Sequence, residues 1–364
     1  MCDSPIHHHA DHTRRTARHH AEHHEHGALF VPSMLVTRRS ALRLGGIGLG
    51  AMLVNACTRS DSASTSSPES SSVTPSTATE STTTPISGAT SPVGFDMFAD
   101  TVGISNDGTW WLVESNGIPS HNMMVGITSW QQQVPTPQPY TGANAWRIPV
   151  SPVLAEIPIS AKTQLYRGAI ALAVNGVPIF NALNNRGDDA FLYGELDEWG
   201  GHAGRADDYH YHIAPLHLQE TVGANRPIAY ALDGFPIYGD TEPDGSTVGG
   251  LDEFNGHTMP DGSYHYHGTR TYPYINGGLR GVVTVAGDQI EPQPVTQPFR
   301  DALQPLAGAT IVSFDSPSNG SFRLGYSIGG QLGEVAYVVS DSDVVFTFTD
   351  VTGSITTETY RRKP

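Results

Sequence analysis

Six histidines fall in two copies of one pattern. His202, His210 and His212 form the first and His257, His265 and His267 the second, each spaced H-x7-H-x-H, all within 66 residues. The last two of each set belong to a Tyr-His-Tyr-His run, at 209–212 and 264–267. Side chains alternate between the faces of a strand, so the two histidines of a run point one way and the tyrosines the other. Two residues apart on a strand is about 6.5–7 Å between Cα atoms, close enough for two imidazoles to reach one ion. A third histidine, His202 or His257, from the preceding loop completes a three-imidazole face. Three neutral imidazoles with an open position suit zinc, and also copper or non-haem iron. Of 17 histidines, eight lie beyond residue 33, and six of those are in the two triads. Imidazole is only moderately suited to cores, so this concentration reads as ligation. The competing reading is a His–Tyr hydrogen-bonded network across two strands, with no ion.

The two histidines left over are His121, in Asn116-Gly-Ile-Pro-Ser-His121, and His217. His121 is a candidate seventh ligand, and His217 reads as structural. Asp197, Glu198, Asp252 and Glu253 precede the first histidine of each triad. They can orient imidazoles or supply a general base, but Asp is commonest in turns, so the favoured role is turn capping. The tyrosines read as core or hydrogen-bonding residues, each an apolar ring with a polar tip.

The elements that must position these residues are duplicated. Ala171-Leu-Ala-Val-Asn-Gly-Val-Pro-Ile-Phe180 is echoed by Ala229-Tyr-Ala-Leu-Asp-Gly-Phe-Pro-Ile-Tyr238, and Asp197-Glu-Trp-Gly-Gly-His202 by Asp252-Glu-Phe-Asn-Gly-His257. The order of elements is the same in both copies, which marks a repeated structural unit and suggests packing about a pseudo-two-fold axis. Each copy starts with an apolar strand and a favoured turn pair, Asn175-Gly176 or Asp233-Gly234. With 39 Gly and 26 Pro and no long helical period, the expected class is mainly β. It is a duplicated short-strand module with Gly/Pro-rich loops, followed by a small antiparallel β module. That last module, 291–364, holds five short strand candidates and no histidine. It is a candidate surface for a protein partner.

At these residues the chain resembles the bacterial YHYH-domain family. The resemblance rests on Asp208-Tyr-His-Tyr-His212, Asp233-Gly-Phe-Pro-Ile-Tyr-Gly239, Asp261-Gly-Ser-Tyr-His-Tyr-His267, Tyr272-Pro-Tyr-Ile-Asn-Gly-Gly-Leu-Arg-Gly281 and the Asn-Gly-Ile-Pro-x-His segment. It covers about 94–290 and implies exported proteins in which the His motifs matter, without supplying a reaction. The copies differ at one place: Ala206-Asp207-Asp208 stands where the second has Asp261-Gly262-Ser263.

The N-terminal part reads as addressing. Thr37-Arg-Arg-Ser-Ala-Leu42 resembles a twin-arginine export signal and Leu53-Val-Asn-Ala-Cys57 a bacterial lipobox, flanking an apolar run too short for a membrane span. Residues 34–57 are therefore expected to be a lipoprotein signal, with Cys57 lipidated and the protein exported to the outer face of the cytoplasmic membrane or the cell surface. Residues 1–33, with nine His, read as an upstream mis-start before Met34 or a His-rich tail. Residues 58–93, rich in Ser, Thr and Pro, read as a disordered linker. The domain proper is expected at 94–290.

Residues 58–364 carry 14 basic and 32 acidic side chains, a net of −18. Such a surface repels phosphate backbones, so nucleic acid is not expected as a partner. It suits cation attraction and ordinary solubility alike. The two cysteines, Cys2 and Cys57, lie outside the folded part, so any metal site is built from His, carboxylate, Tyr or backbone oxygen. There is no phosphate-cradling Gly loop and no nucleophile elbow. The loop Thr241-Glu-Pro-Asp-Gly245 is acidic but lacks an EF-hand pattern. Three readings follow: a metal-handling protein for copper or zinc, a metal-dependent enzyme (zinc hydrolase or copper oxidoreductase), and a surface binding module without metal.

Overall fold

The computed structural model describes residues 91–363. The twin-arginine segment, Cys57, the His-rich tract and nearly all of the expected linker lie outside them. The described part is mainly β, as the turn-rich composition suggests. Twenty strands form five sheets. The only α-helix among the described residues is the single turn α1 (Leu218–Val222). No helix among them is long and apolar enough to cross a membrane.

Strands β1 (Gly103–Asn106), β2 (Trp110–Glu114) and β3 (Trp146–Pro149) make an antiparallel sheet. Trp111 and Val113 of β2 face inward while their neighbours face out, the period of two of a half-buried strand. β4 (Leu154–Ser160) pairs across the chain with β13 (Gly278–Gly281), and β14 (Thr284–Ala286) with β15 (Gln289–Glu291) is a hairpin.

Between them lie the eight strands of the repeat. The first copy supplies β5 (Ala169–Ala173), β6 (Pro178–Phe180), β7 (Gly201–Ala203) and β8 (Tyr209–Tyr211). The second supplies β9 (Ala229–Ala231), β10 (Pro236–Tyr238), β11 (Gly256–Thr258) and β12 (Tyr264–His267). They form one sheet in the order β11-β12-β10-β9-β5-β6-β8-β7. The order reads the same from either end, copy for copy. At its centre Leu172 lies opposite Tyr230, with Ala171 opposite Ala231 and Ala173 opposite Ala229. Leu172 and Tyr230 are equivalent positions of the repeat, so the pseudo-two-fold passes between them. Alanines on these two buried strands let the halves approach closely.

The turn pairs do what their sequences require. Gly176 and Gly234 have φ of 80° and 94°, the left-handed region where glycine carries no Cβ penalty. A Cβ on Gly176 would also stand 2.6 Å from the Cβ of Ser115.

The five C-terminal strand candidates are all present as an antiparallel meander: β16 (Ala309–Ser318), β17 (Ser321–Ile328), β18 (Gln331–Val339), β19 (Asp343–Thr349) and β20 (Ile355–Arg361). The meander shares a hydrophobic core with the rest of the described chain. Ile311 of β16 exchanges backbone hydrogen bonds with Gly126 and Ile127. Arg300 forms a buried two-point pair with Asp207, at 2.8 Å and 3.0 Å, and lies over the Phe346 ring of β19.

Candidate metal centre

Each triad is built by a short hairpin plus the end of a neighbouring strand. β7 pairs with β8 so that His202 faces His210, and β11 with β12 so that His257 faces His265. The first histidine of each triad is therefore on a strand, not in a loop as expected. Three-residue strands are too short to leave a periodic signature. One more backbone bond holds the third histidine, from His212 N to Gly200 O and from His267 N to Asn255 O. β6 and β10 run parallel beside β8 and β12. The carbonyls that follow them, Asn181 and Gly239, accept from His212 Nδ1 at 2.6 Å and His267 Nδ1 at 3.0 Å.

The alternation predicted for Tyr-His-Tyr-His holds. On one face the imidazoles of each copy converge; on the other the tyrosines are anchored. Tyr209 and Tyr264 donate to Asp197 and Asp252 at 2.7 Å and 2.9 Å, and Tyr266 to Asp233 at 2.6 Å. Asp197 also accepts from the backbone of Trp199, Gly201 and Met124, and Asp252 from Phe254 and Gly256. These acids cap turns and do not meet the imidazoles; Glu198 and Glu253 are exposed.

His121 is on the tyrosine side too, and joins neither triad. Its Nε2 accepts from the Tyr211 hydroxyl at 2.7 Å, its Nδ1 donates to Asn122 O, and its ring stacks on Trp199 at 4.8 Å. Tyr211 leaves the strand on the opposite side from His210 and His212, so its partner cannot reach them. His217 packs edge-on against His121, and burial pushes its imidazole down to about 4.

In the second triad, His265 Nε2 lies 2.9 Å from His257 Nε2 and 3.0 Å from His267 Nε2. The Glu242 carboxylate closes the group at 3.3–3.4 Å from the three. In the first, His202 and His212 bring Nε2 atoms to 3.1 Å, and His210 completes the group with ring centroids 4.9 Å and 5.0 Å away. All candidate ligand atoms in each group lie within 4.8 Å of one another.

The donor set fits a metal ion on three counts. Backbone carbonyls hold outer nitrogens in both groups: Asn181 serves His212, and Gly239 and Gly249 serve His267 and His257. A ring whose Nδ1–H is so engaged presents Nε2 as a bare lone pair, the arrangement of metal-bound histidines. Nε2 atoms brought to about 3 Å of one another share either a proton or a metal ion. Second, burial favours the neutral form of His202, His212, His265 and His267. It drives His212 down to about 3, with the nearby His210 adding to the effect, and lowers His202 further than its ordinary range. His265 is pushed to about 4 by burial and by His267 and His257, and burial also lowers His267. Third, Glu242 Oε2 is buried with no hydrogen-bond partner. With metal–nitrogen bonds of about 2.0–2.1 Å, neighbouring ligand atoms sit about 2.9 Å apart at right angles and about 3.3 Å in a tetrahedron. The second triad and its carboxylate fall in this range.

Glu242 was missed from sequence. Its equivalent in the first copy is Asn184, on a loop closed by the same bonds: Asn184 N to Asp188 O there, Glu242 N to Ser246 O here. Asn184 turns instead to Glu195, which also pairs with Arg186. The first copy places its carboxylate further out, with Asp208 Oδ2 3.4 Å from His210 Nδ1. The triads belong to strands five spacings apart in the sheet order, on the order of 24 Å at about 4.8 Å per strand. They are two separate sites.

Fold and site together define a duplicated β protein with one imidazole cluster per copy, each able to hold a metal ion. Residues 145–248 match the model of the YHYH protein family, so the chain carries a YHYH domain. The matched span takes in the first triad and Glu242 and ends before His257. No curated protein and no solved structure matches the chain.

Proposed function

We propose that this is an exported, lipid-anchored protein that binds two transition-metal ions, copper or zinc, and handles them at the outer face of the membrane. The observation that carries the metal reading is Glu242, a buried carboxylate whose unpartnered Oε2 lies 3.4 Å and 3.3 Å from His265 and His267 Nε2 while Oε1 lies 3.4 Å from His257 Nε2. Zinc and copper both accept an imidazole–carboxylate set, and copper binds such sites more tightly. Export and the anchor at Cys57 rest on the twin-arginine and lipobox patterns.

A second reading, a metal-dependent enzyme, attaches to the first site alone. That site has three protein ligands and opens into a cavity, as catalytic metal sites do. The test is elemental mass spectrometry on the chain expressed through its own export route. Two equivalents of metal are expected. His210→Ala/His212→Ala should remove one and His265→Ala/His267→Ala the other. A folded protein that takes up no metal on titration would leave the triads as a hydrogen-bonded network. Rapid loss of the ions to a chelator favours handling, and a firmly held ion at the first site favours the enzyme.

A further inference from the structure

The two imidazole groups share a scaffold but not a charge. In the second, the Glu242 carboxylate lies 3.3–3.4 Å from the three Nε2 atoms, and among the described residues no Lys or Arg pairs with it. In the first, Asn184 at the equivalent loop place brings no charge. The carboxylate that Asn184 holds, Glu195, is paired with Arg186. Asp208 meets His210 only at the outer nitrogen, Nδ1, and also accepts from the Ala206 amide. An imidazole that ligates a metal is uncharged. The first group therefore offers an ion three neutral nitrogens, and the second offers the same three with one negative oxygen.

Burial makes this difference count. His210, His212, His265 and His267 are all buried. Phe180 lies flat on His210, with ring centroids 3.8 Å apart, where the second copy has Tyr238 edge-on to His265 at 5.1 Å. Net charge in such surroundings is costly, so each site favours the ion that leaves least of it. A divalent ion leaves one positive charge on the second ligand set and two on the first. A monovalent ion leaves one on the first. Ligand hardness acts in the same direction, since carboxylate oxygen suits hard ions and imidazole suits copper. Of the ions that imidazole suits, copper has the common monovalent state.

We propose that the two sites select ions of different charge, copper(I) at the first and a divalent ion at the second, and that the loop residue, Asn184 or Glu242, sets the choice. This rests on the metal reading above and divides its cargo between the halves. The rival is a divalent ion at the first site whose extra charge is met by hydroxide from the cavity.

The experiment uses the full chain, expressed through its own export route and stripped of metal. It is titrated with zinc(II), and separately with copper(I) under anaerobic conditions, each against a coloured chelator. His265→Ala/His267→Ala leaves the first site to be read alone, and His210→Ala/His212→Ala the second. The preference for copper(I) over zinc(II) should be at least about tenfold greater at the first site. Glu242→Gln should move the second site towards the first, weakening zinc(II) about 10–100-fold and copper(I) little. Asn184→Glu should move the first site the other way; if that variant does not fold, Glu242→Gln decides. An equal preference at both sites, or equal weakening of both ions by Glu242→Gln, overturns the proposal and keeps the metal reading. So does zinc(II) bound at the first site more tightly as pH rises and in preference to copper(I), which is the hydroxide rival. Uptake of neither ion sinks the metal reading itself.

Discussion

At the scale of single residues, the two triads differ by one substitution that changes what each can do. Glu242 brings a carboxylate to three imidazole nitrogens, while Asn184 in the equivalent place turns to a neighbouring carboxylate. A carboxylate ligand adds charge attraction and a fourth bond to the ion. Glu242→Gln keeps the size and loses the charge, and it should weaken metal at the second site about 10–100-fold while leaving the first unchanged. Competition with a coloured chelator measures this; equal loss at both sites would show that Glu242 acts on the fold and not on the ion. The imidazoles were legible in the sequence because H-x-H on a strand leaves a fixed spacing and the spacing occurs twice. Glu242 was not, because the repeat has Asn at that position and Glu-Pro-Asp-Gly reads as a turn. His121 misled for the opposite reason: its local turn echoes the repeats, but the alternation of β8 sends it to the tyrosine face.

At the scale of elements, the hairpins are pinned from the tyrosine side. Asp197 accepts four hydrogen bonds, three from backbone and one from Tyr209, and is buried; Asp252 accepts three in a more exposed setting. Burial raises the Asp197 carboxyl above its ordinary range, so its bonds offset a desolvation cost. Asp197→Ala should cost about 3 kcal/mol or more, since it strands several buried donors, and Asp252→Ala about 1 kcal/mol, since Asp252 is exposed and water can take the place of its carboxylate. Urea denaturation of the two variants gives the comparison, and equal losses would refute the burial argument. The turn-capping role of these acids was readable from Asp ahead of a Gly-rich loop. The tyrosine hydroxyl as their fourth partner was not, because it comes from the far side of the hairpin. The third histidine as a strand residue was likewise hidden, since β7 and β11 are only three residues long.

At the scale of the whole molecule, the segment leading into the C-terminal meander reaches back to the first copy. Arg300 holds Asp207, which sits at the tip of the β7–β8 hairpin next to Asp208 and His210. The equivalent tip residue in the second copy is Gly262, with open space around it. The difference noted between Ala206-Asp207-Asp208 and Asp261-Gly262-Ser263 is thus a fastening, made in one copy and absent in the other. Arg300→Ala leaves a buried carboxylate without its cation and should cost about 3–5 kcal/mol. It should also loosen the first metal site in preference to the second, read as metal retained per site after dialysis. The five strands of the meander were legible from alternation and turns. The tie of Arg300 to the hairpin was not, because the two partners lie 93 residues apart and neither belongs to a recurring pattern.

The meeting of β5 and β9 has a consequence for how the two halves came to differ. With Leu172 facing Tyr230 and the strand order mirrored about them, each half presents to the other the surface that an isologous homodimer would present to its twin. Identical subunits in such a dimer must carry identical sites, both sealed by a carboxylate or both open. A covalent join removes that obligation. One half can keep the sealing Glu and an unfastened hairpin tip while the other has Asn in that place, a cavity and a tip clamped by Arg300. The symmetry builds the scaffold, and the single chain is what allows that symmetry to be broken where the chemistry is done.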